Sequence, residues 1–213
     1  MNRLPVIVRQ HLAAFRTLLV FTVLCGLIYP FVMVGVSQVA FHKQANGSLA
    51  SYNGRVVGSS LLCQEFTDAK GNPLPQYFQP RPSNAVDATS KTDYGCNPLF
   101  SAASNLGPTN PALIQLITQR QKQISALAGV PVSQIPPDAV TASGSGLDPD
   151  ISPQNAAIQV DRVATARHLP VSEVRDLVTK YTQGRTLGFL GEPRVNVLTL
   201  NIALDQLSAK SGS

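Results

Sequence analysis

The residues best suited to chemistry lie between positions 141 and 150, where TASGSGLDPD combines hydroxyls, glycines and two carboxylates ahead of a helix. Asp148 begins the D-x-D-x-S spacing that supplies the first ligands of an EF-hand calcium loop. The sixth position of such a loop needs glycine and the twelfth a bidentate glutamate, but Pro153 and Gln159 occupy these positions. The segment is therefore not predicted to bind calcium, and we assign no metal ligands.

The same segment lacks the further residues that two other reactive sites need. Gly-Ser-Gly at 144–146 runs into Leu-Asp, whereas a phosphate-binding loop continues with lysine and serine or threonine. A G-x-S-x-G nucleophile would need glycine at the position of Ser143. Of the histidines, His168 is best explained as the C-terminal residue of a helix. The pattern therefore predicts no catalytic residues.

A structural role accounts better for these polar residues. Asp148 and Ser152 each precede a proline and offer a side-chain oxygen to free backbone N–H groups, which is typical of turns and helix caps. Asn110 stands in the same position before Pro111. These side chains are expected to determine where helices begin.

Helices and short strands must position these residues. Apolar residues at helical spacing predict helices over 111–128, 153–167 and 172–182. Asn53-Gly54 predicts a turn between short strands, and four prolines predict an extended, surface-hugging chain over 73–82. Residues 195–207 alternate like a strand but also suit a helix, so both remain open. Together the elements predict an α+β domain with a small sheet and several helices.

A single membrane anchor is predicted near the N-terminus. Only 14% of the 213 residues are charged, and no charge interrupts residues 17–40. At about 1.5 Å per residue, a helix of this length crosses a hydrocarbon core of about 30 Å. The run is longer than the apolar core of a signal peptide, about 7 to 15 residues. Pro30 is expected to kink the membrane helix without ending it.

The charged flank orients this anchor. Arginines precede the span at positions 3, 9 and 16, and basic residues stay in the cytoplasm. Residues 1–16 are therefore predicted to be cytoplasmic, 17–40 to cross the membrane and 41–213 to form an extracytoplasmic (periplasmic) domain. That domain has 14 basic and 12 acidic residues, a balance that does not indicate nucleic acid as a partner.

Two cysteines fall in the predicted extracytoplasmic domain. An oxidising compartment permits a disulfide between Cys63 and Cys96. The sequence cannot show whether their Cα atoms lie within bridging distance, so the pairing stays open.

Four segments, taken in order, resemble the signature segments of one family. They are YFQPRPS at 77–83, SNLGPTNPAL at 104–113, TASGSGLDPDIS with AAIQVDRVATAR between 141 and 167, and LGFLGEPRVNVLTLNIALD at 187–205. With the single N-terminal span, they are similar to the C subunit of the Kdp-type potassium-transporting ATPase over essentially the whole chain. Four blocks in the right order are far more specific than any one of them.

This resemblance implies a non-catalytic accessory subunit of a high-affinity, ATP-driven potassium uptake complex in the bacterial cytoplasmic (inner) membrane. The implied partners are a channel-like potassium-translocating subunit, a P-type ATPase subunit and a small hydrophobic subunit, besides membrane lipid. The family's C subunit is described as needed for assembly and as a catalytic chaperone that raises the affinity of the ATPase subunit for ATP. No tightly bound cofactor is expected, and ATP would enter only through the ATPase subunit.

The resemblance also suggests site residues. The chaperone description invokes a glutamine that contacts nucleotide, and Gln64 and Gln159 match family motifs. Cys63 departs from the family, which commonly has glycine at this position. A partner interface is expected to use polar residues of the matching loops, namely Asn105, Thr109, Asn110, Thr141, Ser143, Ser145 and Asp148.

Two alternatives from other functional classes remain. One is a membrane-tethered extracytoplasmic hydrolase that uses Ser143 or Ser145 as its nucleophile. The other is a tethered solute-binding module, which would work without partner subunits. Turnover by this chain alone would favour the first alternative over the accessory subunit.

Overall fold

Two structural units make up the chain. The structure is a computed structural model that describes residues 5–90 and 94–211. Met1–Ser48 form the first unit, and Leu49–Ser213 form the second, the domain.

One helix of 35 residues, Val6–Ala40, makes up most of the first unit. It consists of α1 (Val6–Val23), a π-helical segment (Leu24–Ile28) and α2 (Tyr29–Ala40), and the short helix α3 (His42–Ala45) follows. Pro30 lies within the first turn of α2 and, as predicted, does not end the helix. By length and composition the helix can cross a membrane. It begins before the predicted span at 17–40, whose limits remain a prediction.

The domain combines short strands with helices. Its strands are β1 (Leu49–Tyr52), β2 (Arg55–Ser59), β3 (Asp150–Ile151), β4 (Thr182–Gln183) and β5 (Arg194–Asn196). Its helices are α4 (Pro111–Ala128), α5 (Pro137–Val140), α6 (Pro153–Arg167), α7 (Val171–Tyr181) and α8 (Val197–Ser211), with a 3-10 turn at Val132–Gln134. The predicted α+β class is confirmed.

The predicted helix caps are confirmed. The Asn110 side chain accepts a hydrogen bond from the backbone N–H of Ala112 (2.9 Å) at the start of α4. Ser152 Oγ accepts one from the N–H of Asn155 (3.0 Å) at the start of α6. His168 follows the last residue of α6 in the left-handed conformation, with φ 56°, so it is a helix C-cap as expected.

Within the described residues, the strands form two small antiparallel sheets. β1 and β2 form a hairpin whose turn is Asn53-Gly54, with φ values of 50° and 75°, as a two-residue turn of this type requires. The second sheet has the strand order β3-β5-β4. β5 is central, and Val195 lies opposite Ile151 on one side and Thr182 on the other.

Residues 195–207 contain both a strand and a helix, and the boundary between them follows Asn196. β5 ends at this residue and α8 begins with the next. Asn196 Oδ1 accepts a hydrogen bond from the N–H of Thr199 (3.1 Å), while Nδ2 donates to the Ser60 carbonyl (2.9 Å). One side chain therefore caps the helix and ties the strand end to the hairpin region.

The hydrophobic core lies between α6, α7, β5 and α8. It contains Phe78, Ile151, Ala156, Val160, Val163, Ala164, Val174, Val178, Val195, Val197, Leu200 and Leu204. Phe78 is fully buried, so the prediction of a surface-hugging chain over 73–82 was wrong at this residue. Asn201 makes its burial possible, because its side chain bonds both the N–H and the carbonyl of Phe78 at 2.9 Å.

Candidate functional site

The segment 141–150 lies where three loops cross. The Gly146 carbonyl accepts a hydrogen bond from Ser83 Oγ (2.6 Å). The Ser145 carbonyl accepts one from the backbone N–H of Ala102 (3.0 Å). The backbone of this segment is therefore held by two loops that are distant in sequence.

Gly146 lies in close contact with the backbone of the two loops that contain Ala85 and Ala102. A Cβ atom at this position would lie 2.6 Å from the Ala102 carbonyl oxygen and 2.8 Å from the Ala85 nitrogen, and φ is +73°. Both the space and the conformation require glycine. Gly144, two residues earlier, would have no atom of the described residues within 4 Å of its Cβ, so the requirement is local to Gly146.

Asp148 forms the predicted turn and one ion pair. Its Oδ1 accepts a hydrogen bond from the N–H of Asp150 (3.1 Å), and its Oδ2 lies 2.9 Å from Arg81 Nη1. The neighbouring carboxylate of Asp150 pairs with Arg194 Nε at 3.0 Å. Burial nevertheless raises the pKa of Asp150 above its ordinary value. The hydrogen bond from Asn196 and the charge of Arg194 lower this pKa, but burial has the larger effect.

The residues predicted to form a partner interface divide into two groups. Those that are buried or bonded within the domain are Asn110, Thr141, Ser143 and Asp148. Those with exposed side chains are Asn105, Thr109 and Ser145, although Ser145 Oγ also accepts a hydrogen bond from the N–H of Leu147 (3.0 Å). The exposed group can reach a partner directly, whereas the bonded group shapes the loops. Their role at an interface stays a prediction.

Gln159 is buried and fully engaged inside the domain. Its Oε1 accepts hydrogen bonds from the Gln79 N–H (2.8 Å) and from Arg162 Nη2 (2.7 Å). Its Nε2 donates to the Gln79 carbonyl (3.2 Å) and to Asn155 Oδ1 (3.0 Å). These bonds use both amide atoms, so a nucleotide could contact Gln159 only if the domain opened locally.

Gln64 lies in a different setting. It is partly exposed and lines a cleft of about 630 Å³ beside Cys63 and Cys96. The two cysteines form a disulfide with their Cα atoms 5.4 Å apart, which resolves the pairing that the sequence left open. The two glutamines therefore do not share one environment, and a role in nucleotide contact remains a prediction for both.

Ser143 and Ser145 do not form a serine-nucleophile site with a histidine. Ser143 is buried. Ser145 Oγ accepts a hydrogen bond from the N–H of Leu147 (3.0 Å) within its own loop. Across residues 5–90 and 94–211, neither hydroxyl is hydrogen-bonded to a histidine. The geometry gives the hydrolase alternative no support.

A larger cleft of about 750 Å³, which we name the arginine cleft, was not predicted. It is lined by Arg81, Pro80, Arg120, Ile124 and Leu127, among other residues. The sequence contains one signal for it, because Arg120 stands on the apolar stripe of α4 one turn before Ile124. A cation on an apolar stripe has to find a partner or a route to solvent.

Comparison with known proteins identifies the family. A family model described as the c chain of the K+-transporting ATPase, KdpC, matches residues 11–206. The potassium-transporting ATPase KdpC subunit of Paraburkholderia phytofirmans is 52% identical over 198 residues, which cover 91% of this chain and 96% of that protein. The KdpC subunit of Geobacter metallireducens is 47% identical over 197 residues, which cover 92% and 96%. This chain therefore belongs to the KdpC family, the c chain of K+-transporting ATPases.

Proposed function

We propose that this chain is a non-catalytic accessory subunit that assembles and stabilises a high-affinity, ATP-driven potassium uptake complex. Membership of the KdpC family over residues 11–206 is the observation that carries the proposal. The proposed partners are a channel-like potassium-translocating subunit, a P-type ATPase subunit and a small hydrophobic subunit.

The contacts of the candidate residues support a docking role. Asp148, Thr141 and Gln159 use their polar atoms inside the domain, where they cap turns and join segments that are distant in sequence. Hydrogen-bonded polar groups of this kind make loops rigid, and rigid loops lose less entropy when a partner binds. A domain built in this way suits assembly better than turnover.

The proposed location is the bacterial cytoplasmic membrane, with the N-terminus inside and the domain on the outer side. The arginines before the apolar helix support this orientation. The disulfide between Cys63 and Cys96 is also what an oxidising, extracytoplasmic compartment allows. In this arrangement the domain would sit near the outer mouth of the ion path.

Any effect on nucleotide affinity is proposed to be indirect. A domain outside the membrane cannot touch cytoplasmic ATP, and Gln159 has both amide atoms engaged. A catalytic-chaperone effect would then pass through the membrane helices as a coupling free energy, typically about 1 to 3 kcal/mol. This corresponds to roughly a 5- to 150-fold change in the affinity of the ATPase subunit for ATP.

The experiment that tests the proposal is purification of the assembled complex. A tagged form of this chain is isolated in mild detergent from potassium-starved cells, and its partners are identified by mass spectrometry. Potassium-stimulated ATPase activity is then measured in membranes with and without the chain. Chain carrying the Gly184→Ala substitution serves as the control, because Gly184 lies outside the expected interface residues and a Cβ there would have no described atom within 4 Å.

The expected result is recovery of a P-type ATPase subunit and a channel-like subunit, with activity lost on deletion and restored by either form of the chain. Recovery of the chain without those subunits would refute the accessory role. Hydrolytic turnover by the purified chain would also contradict the proposal and favour the tethered hydrolase.

A further inference from the structure

The arginine cleft has the shape and lining of a binding site. Its volume is about 750 Å³, within the range of about 300 to 1,000 Å³ that ligand pockets occupy. Apolar side chains form much of its wall, including Pro80, Pro82, Ile124 and Leu127. Charged groups are few, which is the usual arrangement where polar contacts select the ligand and apolar contacts supply area.

Two guanidinium groups converge in this cleft. Arg120 Nη1, on α4, donates to the Val140 carbonyl (2.9 Å), and Arg81 Nη2 lies 3.5 Å from the next carbonyl, that of Thr141. Consecutive carbonyls at the end of α5 thus hold two arginines that are 39 positions apart in the sequence. Backbone carbonyls thus contact both cations, and Arg120 has one hydrogen bond, to the Val140 carbonyl, among the residues that the structure describes.

The charges of the two arginines are not balanced equally. Arg81 pairs with Asp148 at 2.9 Å, although its buried Nε has no hydrogen-bond partner among the described residues. Arg120 forms no ion pair within residues 5–90 and 94–211. Burial lowers the pKa of Arg120 from its ordinary value, because the charged form has lost part of its hydration. The Glu65 carboxylate also lines the cleft and has an interaction of its own.

We propose that the arginine cleft receives an aspartate or glutamate side chain from another subunit of the complex, with Arg120 as its principal partner. A guanidinium offers a planar fork of donors that matches a carboxylate. The apolar wall formed by Ile124 and Leu127 favours a carboxylate carried on a polypeptide over a free inorganic anion, which would leave that wall uncovered. This inference rests on the proposed function, because it needs a partner subunit.

The first test locates the partner. Gln123 is exposed and lines the cleft, so Gln123→p-benzoylphenylalanine places a photoreactive group at its rim in the full-length chain. After irradiation of the purified complex, mass spectrometry identifies the cross-linked peptide. We expect a peptide of a partner subunit with an acidic residue within a few positions of the adduct. Adducts only on peptides without acidic residues, or none on any partner of an intact complex, would overturn the proposal.

The second test measures the contact. Arg120→Gln is compared with Lys122→Gln, which removes the same charge from the exposed side of the same helix. Arg120→Gln should dissociate from the complex about 10- to 100-fold faster, as expected for loss of a charge-assisted contact. Lys122→Gln should behave like the wild type. Raising the salt concentration should speed dissociation of the wild type and much less that of Arg120→Gln.

Folding is checked separately, because Arg120 also bonds the Val140 carbonyl. Arg120→Lys keeps the charge without the fork, so it should fold normally and dissociate at an intermediate rate. Equal dissociation rates and salt dependence for wild type and Arg120→Gln would refute the inference while leaving the accessory role intact. Failure of the wild type to recover any partner would refute the accessory role itself, so the two failures are distinguishable.

Discussion

Replacing Gly146 by alanine should destabilise the domain at the point where three loops cross. The new Cβ would lie 2.6 Å from the Ala102 carbonyl oxygen and 2.8 Å from the Ala85 nitrogen, whereas ordinary contact begins at 3.4 Å. Both neighbours are backbone atoms, so neither can move by rotating a side chain. The loops around 85 and 102 would have to shift together.

Two effects lower the free energy of unfolding of Gly146→Ala, and a third partly offsets them. An alanine at φ +73° carries a left-handed backbone penalty of about 1 to 2 kcal/mol. Overpacking against backbone adds about 1 to 3 kcal/mol. The lower entropy of the unfolded chain with alanine offsets about 0.4 to 1 kcal/mol. The expected loss for Gly146→Ala is therefore about 1 to 5 kcal/mol, with a central value of about 3 kcal/mol.

The assay is urea and thermal unfolding of the full-length chain in detergent, followed by circular dichroism. For a domain of this size the central value corresponds to a fall in Tm of about 6 to 12 °C. Gly144→Ala is the matched control, since in the part of the chain that the structure describes no atom lies within 4 Å of its Cβ, and it should change stability by less than about 1 kcal/mol. If both variants unfold within about 1 kcal/mol of each other, the close approach at Gly146 does not constrain the fold, and the reasoning fails.

Three further changes test other parts of the structure. Gln159→Ala should lower the free energy of unfolding, measured in urea, by about 2 to 4 kcal/mol, because it leaves several buried groups without hydrogen-bond partners. Gln64→Ala should lower it by less than about 0.5 kcal/mol. Reducing the disulfide between Cys63 and Cys96, or replacing both cysteines by serine, should cost about 3 to 4 kcal/mol for a separation of 33 residues. Burial raises the pKa of Asp150 above 3.8, so the folded state binds the proton of this carboxyl more tightly than the unfolded state does. The contribution of Asp150 to the free energy of unfolding should therefore fall as pH rises from 3.8 through the raised pKa. Asp150→Asn should remove this part of the pH dependence.

A specific result would contradict each of these three predictions. Similar losses for Gln159→Ala and Gln64→Ala would mean that the buried amide network contributes little. An unchanged unfolding midpoint after reduction, with free thiols confirmed by labelling, would show that the disulfide does not stabilise the domain. A pH profile of Asp150→Asn that matches the wild type would assign the acid-range dependence to other carboxylates.

The local features of the fold can be predicted from short stretches of the sequence. Asn110, Ser152 and the Asn53-Gly54 pair act through atoms a few positions away, so their caps and turn could be predicted from neighbouring residues. The long apolar helix also follows from composition alone, because helix length and charge decide whether a segment can cross a membrane. The family was equally accessible, since its signature segments are contiguous stretches.

The features that join distant segments depend on the folded chain and could not be predicted from local sequence. Phe78 is buried because Asn201, 123 positions later, bonds its backbone, and no local pattern around Phe78 indicates that contact. The segment at 195–207 changes from strand to helix after Asn196, because β5 pairs with β3 up to this residue and the Asn196 side chain caps α8. The arginine cleft likewise depends on the folded chain, which brings Arg81 and, on α4, Arg120 to adjacent carbonyls. Local hydrogen bonds depend on neighbours in sequence, whereas burial and cleft formation depend on which distant segments the folded chain brings together.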